Sequence, residues 1–131
     1  MANVIPDKFK DFFEQPVFAH LATLMPDGRP QVTPVWVAYD GRHVHVNTAI
    51  VRQKDRNLIK DGRVALSILD PANPYRYIEV RERVVERTEN GADASIDALS
   101  QRYLGKAYPF RQPGETRVLF KITPEHVSTM G

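Results

Sequence analysis

Along most of this chain apolar and polar positions alternate over short stretches, and only three segments carry a helical period. Val17 to Leu24, Gln31 to Tyr39 and His43 to Thr48 read as strands, and Val64 to Leu69 as a strand of the buried type. Tyr75 to Glu89 is a long strand or a bent pair, and Val118 to Val127 is a final strand broken by Pro124. Asp7 to Glu14 predicts a short amphipathic helix with Phe9, Phe12 and Phe13 inward, ended by Pro16. Lys54 to Lys60 predicts a second helix. Ala92, Ile96, Leu99 and Tyr103 predict a third, with Gly105 as its C-cap. Met25-Pro26-Asp27-Gly28-Arg29 supplies a turn and Asp40-Gly41 a hairpin, while Pro71 and Pro74 bracket a loop. Six strands joined by tight turns, with three short helices, predict a mainly β fold. An antiparallel sheet closing into a small barrel fits better than a doubly wound α/β fold.

Two positions disturb the alternation. Pro34 sits inside the second strand, where it cannot donate to a ladder, so it marks an edge, a bulge or a close ligand approach. In the long strand Ile78, Val80 and Val84 share a face on which Glu82 also falls. A bulge near Arg81–Arg83 resolves this; otherwise Glu82 is buried and needs a partner.

At 131 residues the chain is expected to form one domain spanning 1–131. It is 42% hydrophobic and 26% charged, enough to bury a core but little of a large cofactor without a second subunit. The 18 Lys and Arg residues nearly balance 16 Asp and Glu, a weak footprint for nucleic acid, which is not expected as a partner. There is no cysteine, so disulfides, thiolate metal sites and a cysteine nucleophile are excluded. Met1 to Lys8 lacks the apolar stretch of a signal peptide, and no run reaches the ~18 apolar residues of a membrane span. A cytoplasmic protein is expected, with no membrane partner.

The residues that concentrate chemistry are Arg52-Gln53-Lys54-Asp55-Arg56-Asn57-Leu58. They follow a strand and open a helix, where unpaired N–H groups and the positive end of the macrodipole already favour an anion. Arg52 and Lys54 make this a candidate pocket for a phosphate or carboxylate. The competing reading is a solvated face, since Arg52, Arg56 and Lys60 lie four apart and Asp55 and Asp61 can pair with neighbours. No Walker loop, GxGxxG, GxSxG or HExxH occurs. His43 and His45 share a strand face and would need His20, His126 or a carboxylate to hold a metal, so packing is the better reading and no metal is expected. Asp93 and Asp97 read as solvated helix residues. Trp36, Tyr39, Tyr75 and Tyr77 lie near the presumed barrel mouth, as core, as dimer packing or as a platform for a flat ring. With no nucleophile or metal set, a cofactor is left to carry any hard chemistry.

Several segments in order carry a family resemblance: Leu21-Ala22-Thr23-Leu24 with Asp27-Gly28-Arg29-Pro30; Thr33-Pro34-Val35-Trp36; Lys54 to Leu58; Asp70-Pro71-Ala72-Asn73-Pro74-Tyr75-Arg76-Tyr77; Tyr103-Leu104-Gly105; and Tyr108 to Glu115. From about Val17 to Val127 the chain resembles the flavin- and deazaflavin-dependent oxidoreductases that share the split β-barrel of pyridoxamine 5′-phosphate oxidase. It is most similar to the branch that uses coenzyme F-420, a deazaflavin with a phosphate and a polyglutamate tail. The resemblance implies a six-stranded split barrel and a homodimer with two cofactor sites at the subunit interface. It implies a phosphate on Arg52, Lys54 and Asn57, with Arg56 as a further candidate. It also implies a ring along Thr33, Pro34, Val35 and Trp36 and along Val46, Asn47 and Thr48, with Tyr75 and Tyr77 near ring or substrate. Close relatives usually have glycine where this chain has Glu82, which puts the local strand geometry in question. The expected activity is a reductase in which reduced F-420 passes a hydride to an unsaturated or conjugated acceptor, no catalytic side chain being assigned. An FMN-dependent oxidase or reductase of the same fold is the alternative, and a non-catalytic carrier of a deazaflavin, haem or related tetrapyrrole is a third.

Overall fold

The computed structural model describes residues 5–131. Its first element is a 3₁₀ helix, Asp7–Phe13, that turns Phe9, Phe12 and Phe13 into the core. Eight strands follow in chain order, every pair antiparallel: β1 Ala19–Leu24, β2 Pro30–Val35, β3 Ala38–Tyr39, β4 Val44–Ala49, β5 Arg63–Asp70, β6 Asn73–Thr88, β7 Arg117–Ile122 and β8 His126–Met130. Helix α1, Gln53–Lys60, joins β4 to β5, and helix α2, Ala92–Leu104, follows β6.

The strands run in the order β2-β1-β5-β6-β7-β4-β3, with β8 also on β6. Sixteen-residue β6 is the hinge of this arrangement: its first part pairs with β5 and β8, its last part with β7. Inward-facing Leu21, Val46, Leu66, Ile68, Ile78, Val80, Phe120 and Ile122 fill the interior between the two halves. In β5 the alternation is strict, with Val64, Leu66 and Ile68 inside and Ser67 and Leu69 outside. β7 is buried on both faces, because α2 packs on the side turned away from the core. No helix among the described residues is long and apolar enough to cross a membrane.

The mainly β, antiparallel barrel expected from the pattern is present, with eight strands in place of six. One extra strand arises where Gln31 to Tyr39 divides at Trp36 and Val37. The backbone of Val37 is claimed there by α2: its N–H donates to the Tyr103 hydroxyl at 3.2 Å and its carbonyl accepts from Arg102 at 2.7 Å. The other arises at Pro124, where the final strand splits into β7 and β8. Asn73 already belongs to β6, so Pro71 and Pro74 do not bracket a loop. Pro34 lies in edge strand β2, whose known neighbour is β1. Gly105 caps α2 as expected, with φ of +77° and its N–H directed to the carbonyls of Ser100 and Gln101.

No bulge occurs at Arg81–Arg83. Pairing with β5 is unbroken there, and the shift falls at Val85 against β7, where the strand crosses between the two halves. Glu82 instead has the partner it needs: its Oε2 accepts from the His126 backbone N–H at 3.1 Å and meets His126 Nδ1 at 2.6 Å, tying β8 to β6.

Candidate functional site

A groove of about 190 Å³ opens where the end of β2, the middle of β4 and the start of α1 converge. Pro34, Val35 and Trp36 form one wall; Asn47 and Thr48 form the floor; Arg52 and Lys54 stand at one end. The facing wall comes from later in the chain. Ile96 and Leu99 of α2 contribute to it, as do Tyr108 and Phe110 from the 105–116 segment, and Arg117 lies at the base of β7.

An aromatic series stiffens these walls. Trp36 stacks on Tyr103 with ring centres 5.1 Å apart, Tyr108 meets Trp36 edge-on at 6.1 Å, and Phe110 meets Tyr108 edge-on at 5.7 Å. Arg111 holds the 105–116 segment against α2 through Asp93 at 2.9 Å and Asp97 at 3.0 Å. Asp97 also accepts the Tyr108 N–H at 3.0 Å. These two carboxylates, whose side chains are solvent-exposed as the sequence predicts, also clamp one groove wall. Tyr103 is occupied structurally. Its hydroxyl donates to the Val17 carbonyl at 2.6 Å while accepting from Val37, and burial pushes its phenol pKa up.

The polar end is strongly cationic. Arg117, 5% exposed, donates to Asn47 Oδ1 at 2.9 Å and pairs with Glu115 at 3.2 Å. Asn47 in turn donates to the Ala92 carbonyl at 2.8 Å, fixing α2 over the groove. Arg52 and Lys54 have no carboxylate partner among the described residues. Burial, then the charges of Arg52 and Arg117, push the Lys54 ammonium pKa below its ordinary value. Arg52 is also the N-cap of α1 and supplies no side-chain acceptor to the first-turn N–H groups. Two cations without a carboxylate partner, at a helix start with no N-cap side-chain bond, can receive an anion, and the adjoining Trp36 wall can take a flat ring.

The structure brings together Arg52, Lys54, Pro34, Val35, Trp36, Asn47 and Thr48 from the sequence-predicted set. The others lie elsewhere. Arg56 turns back to donate to the Val51 carbonyl and to Gln53 Oε1. Asn57, 2% exposed, bonds Thr23, Gln31 and the Met25 sulfur beneath β1 and β2. Val46 is core, Thr33 pairs with Leu21 on β2, and Tyr75, 76% exposed, and Tyr77 lie on β6 outside the groove lining. Phe18, Ile96, Leu99, Tyr108, Phe110 and Arg117 line the groove without having been picked out as site residues. The Tyr108-Pro109-Phe110 pair of aromatics in an otherwise polar stretch was the available signal. His45 bonds Asp40 at 2.9 Å and His126 bonds Glu82. No group of three or more His, Asp or Glu side chains placed to hold a metal exists among the described residues.

The barrel is of the flavin-binding split-barrel type, and its likeness to known proteins supports an oxidoreductase. The chain belongs to the pyridoxamine 5′-phosphate oxidase family, whose pattern matches residues 5–131. It is 36% identical to a solved F420 reductase, the alignment covering 95% of this chain and 98% of that one with a TM-score of 0.84. A conserved hypothetical protein from Mycobacterium tuberculosis shares the fold at 24% identity, covering 99% and 88% of the two chains with a TM-score of 0.78. A putative pyridoxamine 5′-phosphate oxidase from Listeria innocua shares it at 18% identity, 94% and 95% coverage and a TM-score of 0.71. No curated protein matches the chain.

Proposed function

We propose that this protein is a reductase that uses reduced coenzyme F-420, in a homodimer whose second subunit completes each groove. The observation that carries the reading is the pair of groove cations, Arg52 and Lys54, left without counter-ions beside an uncapped helix start. A ribityl phosphate supplies the missing charge. The 36% identity to an F420 reductase favours the deazaflavin over FMN, whose phosphate the same cations would accept.

When bound, the reduced cofactor would supply a hydride to an unsaturated or conjugated small-molecule acceptor, the accompanying proton coming from solvent or a tyrosine. The chain's own work is binding and orientation. Arg52 and Lys54 hold the phosphate, with Lys54 as a compact charge and Arg52 able to make two parallel hydrogen bonds. The rim of β2 at Pro34–Trp36 and the Trp36 ring align the flat ring system. Tyr108 and Phe110 keep water from the far wall. A groove of about 190 Å³ falls below the ~300 Å³ at which small-molecule pockets begin. One chain thus covers part of the cofactor, which supports the second subunit, and exposed Phe18 and Phe110 at the rim suit its approach.

Parallel fluorescence titrations with F-420 and FMN test the reading. Selective F-420 binding is expected, with Lys54→Ala weakening it by about 1.5–3 kcal/mol, the contribution of a charged hydrogen bond. Selective FMN binding moves the protein to the FMN-dependent reading, and affinity unchanged in Lys54→Ala removes Lys54 from the phosphate site.

A further inference from the structure

The turn that delivers the two groove cations has a backbone conformation its sequence disfavours. Val51 has φ of +74°, and it is the non-glycine residue with positive φ among the described residues. For a β-branched side chain this is an outlier of the kind that persists only when its surroundings impose it. Its own side chain does not impose it, being 68% exposed. The constraint comes through the backbone. The Val51 N–H donates to Asp55 Oδ2 at 3.1 Å, and the Val51 carbonyl accepts from the Arg56 guanidinium. Asp55 is 1% exposed and is gripped by Arg87 of β6, Nε to Oδ1 at 2.9 Å and Nη2 to Oδ2 at 3.2 Å.

A continuous set of contacts thus runs from β6 through Arg87 and Asp55 to Val51, the residue that precedes Arg52 in the chain. Asp55 itself does not line the groove. A carboxylate next in sequence to Lys54 would repel an anion if it were free; Arg87 both neutralises it and fixes it. Simple helix capping would not require the left-handed residue, because an acidic side chain in the first turn favours the helix with any entering backbone.

We infer that Asp55, fixed by Arg87, is a positioning residue for the anion end of the groove: it holds Val51 left-handed and so sets Arg52 and Lys54 where one anion meets both. This rests on the reading that the groove takes a ribityl-phosphate cofactor. Preorganisation of this kind raises affinity for the anion and leaves affinity for the rest of the ligand alone.

The test compares ligands with and without phosphate: FMN against riboflavin, and F-420 against its phosphate-free deazaflavin alcohol. Kd ratios are measured in the wild type, Asp55→Asn, Arg87→Gln and Val51→Gly, with melting temperatures alongside. Asp55→Asn is expected to lower the phosphate preference by about tenfold or more, with Kd for the phosphate-free ligands within about twofold. Val51→Gly is expected to keep the preference and to keep or raise the melting temperature, because glycine accepts the positive φ and retains the backbone contacts to Asp55 and Arg56. Arg87→Gln, which releases the Asp55 carboxylate without removing it, decides the question if Asp55→Asn does not fold. A preference unchanged in folded Asp55→Asn or Arg87→Gln, or an equal loss for both ligand types, makes Asp55 merely structural and overturns the inference. A wild-type ratio near one, or no binding of any of the four ligands, is a different result. It overturns the phosphate reading itself, and the inference with it.

Discussion

With burial and two neighbouring guanidiniums holding its ammonium pKa below the ordinary 10.5, Lys54 is harder to keep charged in the folded chain than in the unfolded one. The unfolded chain therefore keeps this proton to higher pH. Between the lowered and the ordinary value it binds more protons than the folded chain, and stability rises with pH through that window. Below the window the penalty for the charged lysine is fully present. Lys54→Met is accordingly expected to raise the melting temperature of the ligand-free protein at neutral pH while abolishing preference for a phosphate ligand. A bound phosphate favours the charged form, so affinity for FMN or F-420 should fall as pH passes the lowered value, before 10.5 is reached. Titrations across an alkaline pH series check this, and a flat profile would remove Lys54 from anion binding. Asp61 and Asp55 mark how far single residues could be read from sequence. Asp61 pairs with neighbouring Arg63 and its pKa is drawn down to about 2, as short-range pairing predicts. Asp55 reaches Arg87 on another strand, a partner that spacing along the chain cannot reveal.

Two departures from the expected strand pattern share an origin: polar groups are satisfied by residues distant in sequence. Trp36 and Val37 look as strand-like as their neighbours, yet Arg102 and Tyr103 of α2 take the Val37 hydrogen bonds and end β2 early. Glu82 looks like a defect in β6, and a bulge was a reasonable remedy. Its actual remedy is His126, which follows Pro124 on a strand the sequence had merged with β7. Glu82→Gly should remove the acceptor for the His126 N–H and add strand glycine. The combined cost is about 1–2 kcal/mol, with Glu82→Gln costing less because it keeps an acceptor. Urea unfolding measures the difference, and faster hydrogen exchange confined to β8 would locate it. An unchanged midpoint would mean that β8 is held by its ladder to β6 alone.

The antiparallel barrel and the cations at one end of the groove were legible from short-range signals (alternation, turn residues and a basic helix start), and the family from the order of several segments between Leu21 and Glu115. The opposite wall was not. Helical spacing shows that Ile96 and Leu99 share a face but not what that face covers, and nothing local separates Arg117 from a solvated arginine at a strand start. In the proposed homodimer, completion of the groove by a second chain would make assembly part of binding. Sedimentation is expected to report a dimer, with apparent cofactor affinity weakening on dilution below its dissociation constant; a monomer that binds with undiminished affinity would refute the shared site. The long strand β6 has a further consequence for how the molecule comes apart. It is the strand common to both halves of the barrel, joined to β5 and β8 along one stretch and to β7 along the next. Once β6 is released the two halves lose every strand pairing that joins them and β8 loses its partner, so opening β6 is expected to approach global unfolding. The slowest-exchanging amides should therefore lie around Ile78 and Val80, and their exchange rate should report the global stability of the protein.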